Sequence, residues 1–307
     1  MTFRQLEYLV ALDRYKQFAS AAEACKISQP SLSATIKHLE EELGVVLFDR
    51  TDPLRPTAIG VRIIDQAKKI LGRMAEMSDI IREERHELGG SVTVAVLPTI
   101  APFLLPAFIP EWRKKTPNLK TEIIELTSDQ CLNALRDRSV DMALMATKPG
   151  MDGVERRPLY YEKFLYYTAP SEPHAAYPHI TPSLVDVEHL WLLSDGHCFR
   201  DQMVRFCHLK RNQKGALTYT QGNLLSLMHL VESNQGCTFI PELALSFLSP
   251  EQKKLVRPFS EPCPVREIQL VYRSDYARRS LLQTFTQAVR SVIPPHMHAL
   301  SPDTILL

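Results

Sequence analysis

Phe18-Ala-Ser-Ala-Ala-Glu-Ala-Cys25, followed at once by Lys26-Ile-Ser-Gln-Pro-Ser-Leu-Ser33, is the stretch whose reading decides the fold. The first eight residues are Ala-rich and favour a short helix. Ser28 can cap a second helix, with Pro30 accommodated in its first turn. That second helix carries Leu32, Ile36, Leu39 and Leu43 on one face, and Gly44 stops it. Ahead of both, Phe3, Leu6, Leu9, Val10 and Leu12 form another helical stripe, broken at 14–17. Two short helices joined by a tight turn predict a helix-turn-helix, whose second helix can lie in the major groove of DNA.

The outward residues of the second helix are Gln29, Ser31, Ser33 and Thr35, with Lys37 and His38 a turn later. Short polar side chains at such an N-terminus suit base edges and phosphates. They equally suit the solvated face of an ordinary helical bundle, and the pattern alone leaves both readings open. Charge does not decide between them. Residues 1–60 hold seven basic and eight acidic side chains, a net charge of −1. The basic footprint of a DNA reader must therefore be local. Arg50 and Arg55 flank a Pro-containing turn between two extended pieces, a wing that could set both guanidiniums on phosphates.

The whole chain has 307 residues, enough for about two domains. Its net charge of +1 points to no partner, and 45% hydrophobic residues exclude a disordered chain. The start of the sequence carries charges and no apolar run of a secretory signal. The longest uncharged run, 91–110, holds Pro98, Pro102, Pro106 and Pro110 and opens with alternating Val92, Val94 and Val96. It reads as a strand, a turn and a Pro-opened helix rather than a membrane span. A cytoplasmic protein is expected. Six cysteines are too sparse for a disulfide scaffold.

Ala21-Ala22, Ser28-Gln29-Pro30-Ser31-Leu32-Ser33, Ile36, Leu39-Glu40, Leu43-Gly44, Leu47-Phe48, Arg50 and the segment 57–60 resemble the N-terminal signature of LysR-type transcriptional regulators. The resemblance implies a winged helix-turn-helix over 1–58 and a linker and dimerisation helix over 59–89. Ile63, Ile64, Ala67, Ile70, Leu71, Met74, Met77 and Ile81 keep the helical spacing that such a helix needs, with Gly89-Gly90 as its end and hinge. It also implies that Ser28, Gln29, Pro30, Ser31, Ser33, Lys37, Arg50 and Arg55 face DNA.

Beyond residue 90, strand-like and helix-like segments alternate. The strands expected are 92–97, 119–125, 141–146, 164–168, 190–193, 237–240 and 267–272. The helices expected are 105–115, 129–138, 198–210, 224–233, 242–247 and 280–293. Alternation predicts parallel sheets with ligands at the C-terminal ends of strands. The family resemblance implies a regulatory domain over 90–307, similar to periplasmic binding proteins, with lobes at about 91–161 plus 268–307 and at 162–267. No nucleotide-binding, hydrolase or metalloprotease motif occurs, so no cofactor, metal or enzymatic activity is expected. His296 and His298 read as solvated residues of a loose tail.

The second informative stretch is Ser194-Asp-Gly-His-Cys-Phe-Arg-Asp-Gln-Met-Val-Arg-Phe-Cys207. Asp195 is a candidate N-cap, which places Cys198 in the first helical turn. The helix N-terminus, with His197, Arg200 and Arg205 nearby, favours a thiolate. Cys198 and Cys207 are nine residues apart, or about 13.5 Å along an intact helix at ~1.5 Å per residue. A disulfide needs Cα atoms roughly 4.4–6.8 Å apart. A bond between them would therefore require the helix to unwind; alternatively, the two are unrelated cysteines, one of them filling the core.

Asp195-Gly-His-Cys-x-Arg-Asp-Gln202 with Phe206-Cys207 closely resembles the sensing segment of the peroxide-responsive branch of that family. Pro98-Thr99, Leu104-Leu105-Pro106, Gly236, Pro241 and Val271-Tyr272-Arg273 extend the resemblance over nearly the whole chain, whereas 210–222 matches poorly. The resemblance implies that Cys198 is the peroxidatic cysteine and Cys207 the resolving one. It implies a peroxide pocket with Thr99, Ser128, His197, Arg200 and Asp201, and with Arg266 facing it; Ser128 stands where Thr is expected. The implied partners are promoter DNA, further copies of the chain in a dimer or tetramer, RNA polymerase, hydrogen peroxide as signal and thiol reductants that reset the switch. Cys25, Cys131, Cys237 and Cys263 read as structural. The competing readings are a regulator that binds a small organic effector between the lobes, a thiol peroxidase, and a repressor bound to DNA in both redox states.

Overall fold

The structure is a computed structural model of the chain and describes every residue except 52, 86, 186–187, 195, 210–222 and 234. It divides into two compact units, the first centred on Met1–Arg85 and the second on His86–Leu135 with Val140–Leu307.

The first unit opens with α1 (Phe3–Tyr15), held at its start by a capping box between Thr2 and Gln5. α2 (Phe18–Ala24) and α3 (Gln29–Leu43) form the helix-turn-helix. Ser28 caps α3 by accepting from the Ser31 amide at 3.3 Å, Pro30 sits in its first turn, and Gly44 closes it at φ 67°. A two-stranded antiparallel wing follows, β1 (Phe48–Asp49) and β2 (Arg55–Pro56). Leu6, Leu9, Leu12, Ala21, Ala22, Leu32, Ile36, Leu39, Leu47 and Phe48 pack into one core, joined by Ile64 and Ala67 of α4 (Ala58–Glu84). Gly60 lets α4 approach the wing, because a Cβ there would stand 2.0 Å from the Leu47 carbonyl oxygen. α4 ends at Glu84 with Arg85 as C-cap, short of the expected stop at Gly89-Gly90; Gly90 instead begins β3.

The second unit contains β3 (Gly90–Val96), α5 (Ala101–Lys115), β4 (Leu119–Glu125), α6 (Ser128–Arg136) and β5 (Met142–Ala146). There follow β6 (Val154–Thr168), α7 (Cys198–Phe206), α8 (Leu224–Glu232), β7 (Cys237–Pro241), α9 (Pro250–Lys253) and β8 (Val256–Pro258). β9 (Cys263–Arg273), α10 (Arg279–Val292) and β10 (Thr304–Leu306) complete it. The main strand order is β4-β3-β5-β9-β6-β7, with β10 beside β9 and β8 beside β6. β3 pairs in parallel with β4 and β5, whereas β9 runs antiparallel to both β5 and β6. The sheet is therefore mixed rather than purely parallel. The cause is that the chain crosses on β6, builds the second half of the unit, and returns on β9. β6 pairs with β9 along Val154–Lys163 and with β7 along Phe164–Thr168, so it serves both halves.

Several expectations change in detail. Residues 190–193 form no strand beyond a single bridge from Leu190 to Cys237. Residues 242–247 are a 3-10 helix. α5 starts four residues earlier than its reading, with Pro106 and Pro110 inside it. The expected loose tail is ordered: His296 contacts Glu242 at 2.9 Å, and β10 joins the sheet. Among the described residues, no helix is long and apolar enough to cross a membrane.

Candidate functional site

α7 begins at Cys198, with His197 as a backbone N-cap whose side chain makes no cap bond. The expected cap, Asp195, lies outside the described residues, as does the segment 210–222. Gly196 takes φ 94°, a left-handed turn into the helix that a Cβ would strain. Cys207 is the C-cap, and its amide donates to the Met203 carbonyl at 2.9 Å. Both thiols are free and buried. Burial pushes the Cys207 thiol up to about 12, so it stays protonated in this state.

A cavity of about 220 Å³ opens beside Cys198, lined by Ser128, Asp129, Thr147, Lys148, Pro149, Gly196, Asp201, Gln202, Val204 and Arg205. Ser128 opens α6 just past the C-terminal end of β4, and Thr147 follows β5 directly. The cavity thus sits where an α/β sheet offers its ligand crevice. Two of the lining residues, Ser128 and Gln202, hold a buried polar atom each, Oγ and Oε1, with no hydrogen-bond partner among the described residues. Lys148 and Asp129 form an ion pair at its rim. A small ligand that both donates and accepts hydrogen bonds would satisfy the two orphaned atoms.

Of the expected pocket residues, Cys198, Ser128 and Asp201 are brought together on this lining, and Thr99, His197, Arg200 and Arg266 are not. Arg200 reaches Asp201 at 3.6 Å. Burial lowers the His197 imidazole below its ordinary value, with Asp201 opposing, so the ring is a neutral hydrogen-bonding group at neutral pH and not a cation. Thr99 and Arg266 form a second buried cluster. Arg266 Nη1 donates to Thr99 Oγ1 at 3.0 Å, and Nη2 donates to the Thr99 carbonyl at 3.1 Å. Arg266 Nε donates to Glu162 Oε2 at 2.9 Å. The guanidinium lies 4.8 Å from the ring of Phe199, the residue after Cys198. Burial raises the Glu162 carboxyl, while Arg266 and the Leu243 amide oppose it. Asp129, Thr147, Lys148, Gln202 and Arg205 were not among the expected pocket residues. Of these, Gln202 and Arg205 had a local signal, since they stand one and two turns after Cys198 on the same helix face.

In the first unit, Ser28, Gln29, Pro30, Ser31 and Lys37 are exposed along the start of α3, and Ser33 is half-buried. Arg55 is exposed on β2. Arg50 is exposed too, but its Nη2 donates to Glu40 Oε2 at 3.0 Å. Glu40 Oε1 accepts from the Leu47 and Phe48 amides, so this pair fastens the wing to α3.

Residues 3–61 match the bacterial regulatory helix-turn-helix protein of the lysR family, and residues 85–294 match the LysR substrate binding domain. The hydrogen peroxide-inducible genes activator of Haemophilus influenzae is 32% identical over 292 residues, 94% of this chain and 96% of that protein. The crystal structure of OxyR from Porphyromonas gingivalis is 45% identical with a TM-score of 0.67, covering 71% of this chain and 99% of that one. A full-length OxyR variant from Pseudomonas aeruginosa superposes with a TM-score of 0.76 at 29% identity, covering 95% of this chain and 99% of its own. The chain belongs to the LysR family of helix-turn-helix transcriptional regulators. Within that family it falls in the OxyR branch.

Proposed function

We propose that this protein is a DNA-binding transcription activator that senses hydrogen peroxide through Cys198. The observation that carries the reading is the cavity in which Cys198, at a helix N-terminus, stands beside the unpartnered Ser128 Oγ and Gln202 Oε1. Hydrogen peroxide has the donors and acceptors both atoms call for. Attack of the Cys198 thiolate on one peroxide oxygen breaks the O–O bond, leaves Cys198 sulfenic acid and releases water once the leaving oxygen takes a proton. The Cys207 thiol then displaces water from that sulfenic acid to close a disulfide. Because the two thiols bound one wound helix, closing the bond unwinds α7, and this rearrangement is the signal. A thiol reductant reopens it, so each cycle is a stoichiometric switch and not enzymatic turnover.

Two further parts of the reading rest on surfaces. α4 buries only Gly60, Ile64 and Ala67, yet exposes Val61, Ile70, Met74, Met77, Ile80 and Ile81. A second copy of this helix is the natural cover for such a stripe, giving dimers that pair into tetramers on promoter DNA. The start of α3 reads the major groove, Arg55 of the wing meets phosphates, and the activated form recruits RNA polymerase in the cytoplasm. An organic effector between the lobes fits less well, since the Thr99, Glu162 and Arg266 cluster, packed with Phe164 and Phe199, fills the region where β6 and β9 run side by side. The test is Cys198→Ser: peroxide-dependent promoter activation is expected to vanish while DNA binding persists. Activation that survives the substitution would overturn the reading.

A further inference from the structure

Gln202 is 1% exposed, and both contacts of its amide nitrogen are with main-chain oxygens. Nε2 donates to the Leu307 oxygen at 3.0 Å and to the Thr147 oxygen at 3.5 Å. Main-chain oxygens accept here and do not donate, so these two partners fix which end of the carboxamide is nitrogen. The oxygen must then point the other way, and it is the unpartnered Oε1 of a residue lining the Cys198 cavity.

The stronger of the two partners, Leu307, directly follows a strand distant in sequence. β10 lies parallel to the start of β9, with Thr304 opposite Cys263 and Leu306 opposite Val265. The Cys263 amide donates to the Asp303 oxygen, and the Leu307 amide donates to the Val265 oxygen, both at 2.9 Å. The Leu307 side chain also packs on the core. The segment 303–307 is therefore held on one side by β9, and through Leu307 it meets the Gln202 side chain of the redox helix on the other.

We propose that segment 303–307 is a positioning element of the Cys198 pocket: it aims the Gln202 carboxamide oxygen into the cavity and undocks when α7 unwinds. The idea rests on the redox reading above. Gln202 lies between the two cysteines, one turn from Cys198, so an unwinding that reaches the first turn of α7 displaces its backbone. The Gln202 bond to Leu307 then breaks, and the coupling is reciprocal: loosening β10 frees the carboxamide to rotate and weakens its hold on peroxide.

The test uses the full chain in two arms. In the first, hydrogen exchange of peptides covering 303–307 is followed in the reduced and the peroxide-treated protein. The expected result is exchange faster by at least about tenfold in the disulfide form, with no change in Cys207→Ser. Equal protection in the two redox forms would overturn the proposal. In the second arm, sulfenic acid formation at Cys198 is timed in a Cys207→Ser background at limiting peroxide. Leu307→Pro, which removes the amide bonded to Val265, is expected to slow it about three- to tenfold, the effect of one neutral hydrogen bond. The conservative Leu307→Ala keeps that amide and is expected to stay within about twofold. A Leu307→Pro rate equal to the parent's overturns the positioning role alone. A parent in which Cys198 is not oxidised at all overturns the redox reading and this proposal with it.

Discussion

Cys198 is the first residue of α7 and Cys207 is its C-cap, tied to the helix by a hydrogen bond that its amide donates to the Met203 carbonyl at 2.9 Å. The helix that separates the two thiols is thus also the element that must give way for them to meet. With Cys207 pushed up to about 12 by burial, its thiolate fraction near neutral pH is about a thousandfold below that of a free thiol. In the reduced protein Cys207 is accordingly expected to resist alkylation by iodoacetamide at pH 7.5, and to react at the rate of a free cysteine only in denaturant. Mass-spectrometric timing of each site checks this, and equal native and denatured rates would contradict it.

The Glu162 and Arg266 pair is fully buried, so its halves are worth more together than apart. Glu162→Leu leaves the guanidinium with only Thr99 as hydrogen-bonding partner among the contacts described above. A loss of about 3–5 kcal/mol in urea unfolding is expected for the single change. Adding Arg266→Met should recover most of that loss. A single variant as stable as the parent would show that the guanidinium finds water in the native state.

His197 sets a pH dependence. Burial holds its folded pKa below the unfolded value of about 6.5, so the unfolded chain takes up the proton first as the pH falls. Its stabilising contribution is complete above that pH and is lost as the pH drops below it. Protection factors of the α7 amides in the reduced protein, corrected for the intrinsic slowing of exchange in acid, should fall as the pH drops below about 6.5, and His197→Asn should flatten that dependence. An unchanged slope in the variant would assign it to another group.

On the DNA side, Arg55 and Arg50 should differ. Arg55→Ala is expected to weaken binding alike on specific and unrelated DNA and to reduce the salt slope by about one ion. Arg50 is tied to Glu40, so Arg50→Ala should loosen the wing and lower unit stability in addition to affinity. Fluorescence anisotropy over a salt series separates the two. An Arg55→Ala salt slope equal to the parent's would remove that residue from the phosphate contacts.

The first unit was legible because its punctuation is local: Ser28, Pro30 and Gly44 each act on the helix beside them, and all three do so in the structure. The first half of β6 was not legible. Its run Arg156-Arg157-Pro158 has no apolar alternation, and it is a strand through pairing with β9 more than a hundred residues later. Leu190-Trp191-Leu192-Leu193 has the composition of a strand but only one bridge, because a neighbouring ladder is missing along the rest of it. The helix carrying Cys198 and Cys207 was readable from its own residues. The cavity beside it was only half readable, since Thr147, Lys148 and Leu307 come from remote strand ends that no local pattern connects to α7.

The most direct measurement is non-reducing peptide mapping of the full chain before and after a brief micromolar pulse of hydrogen peroxide. A Cys198–Cys207 disulfide absent before the pulse, formed after it and removed by a thiol reductant is the expected result. A pulse that leaves both thiols free, or that links Cys198 only to cysteines other than Cys207, would contradict the switch.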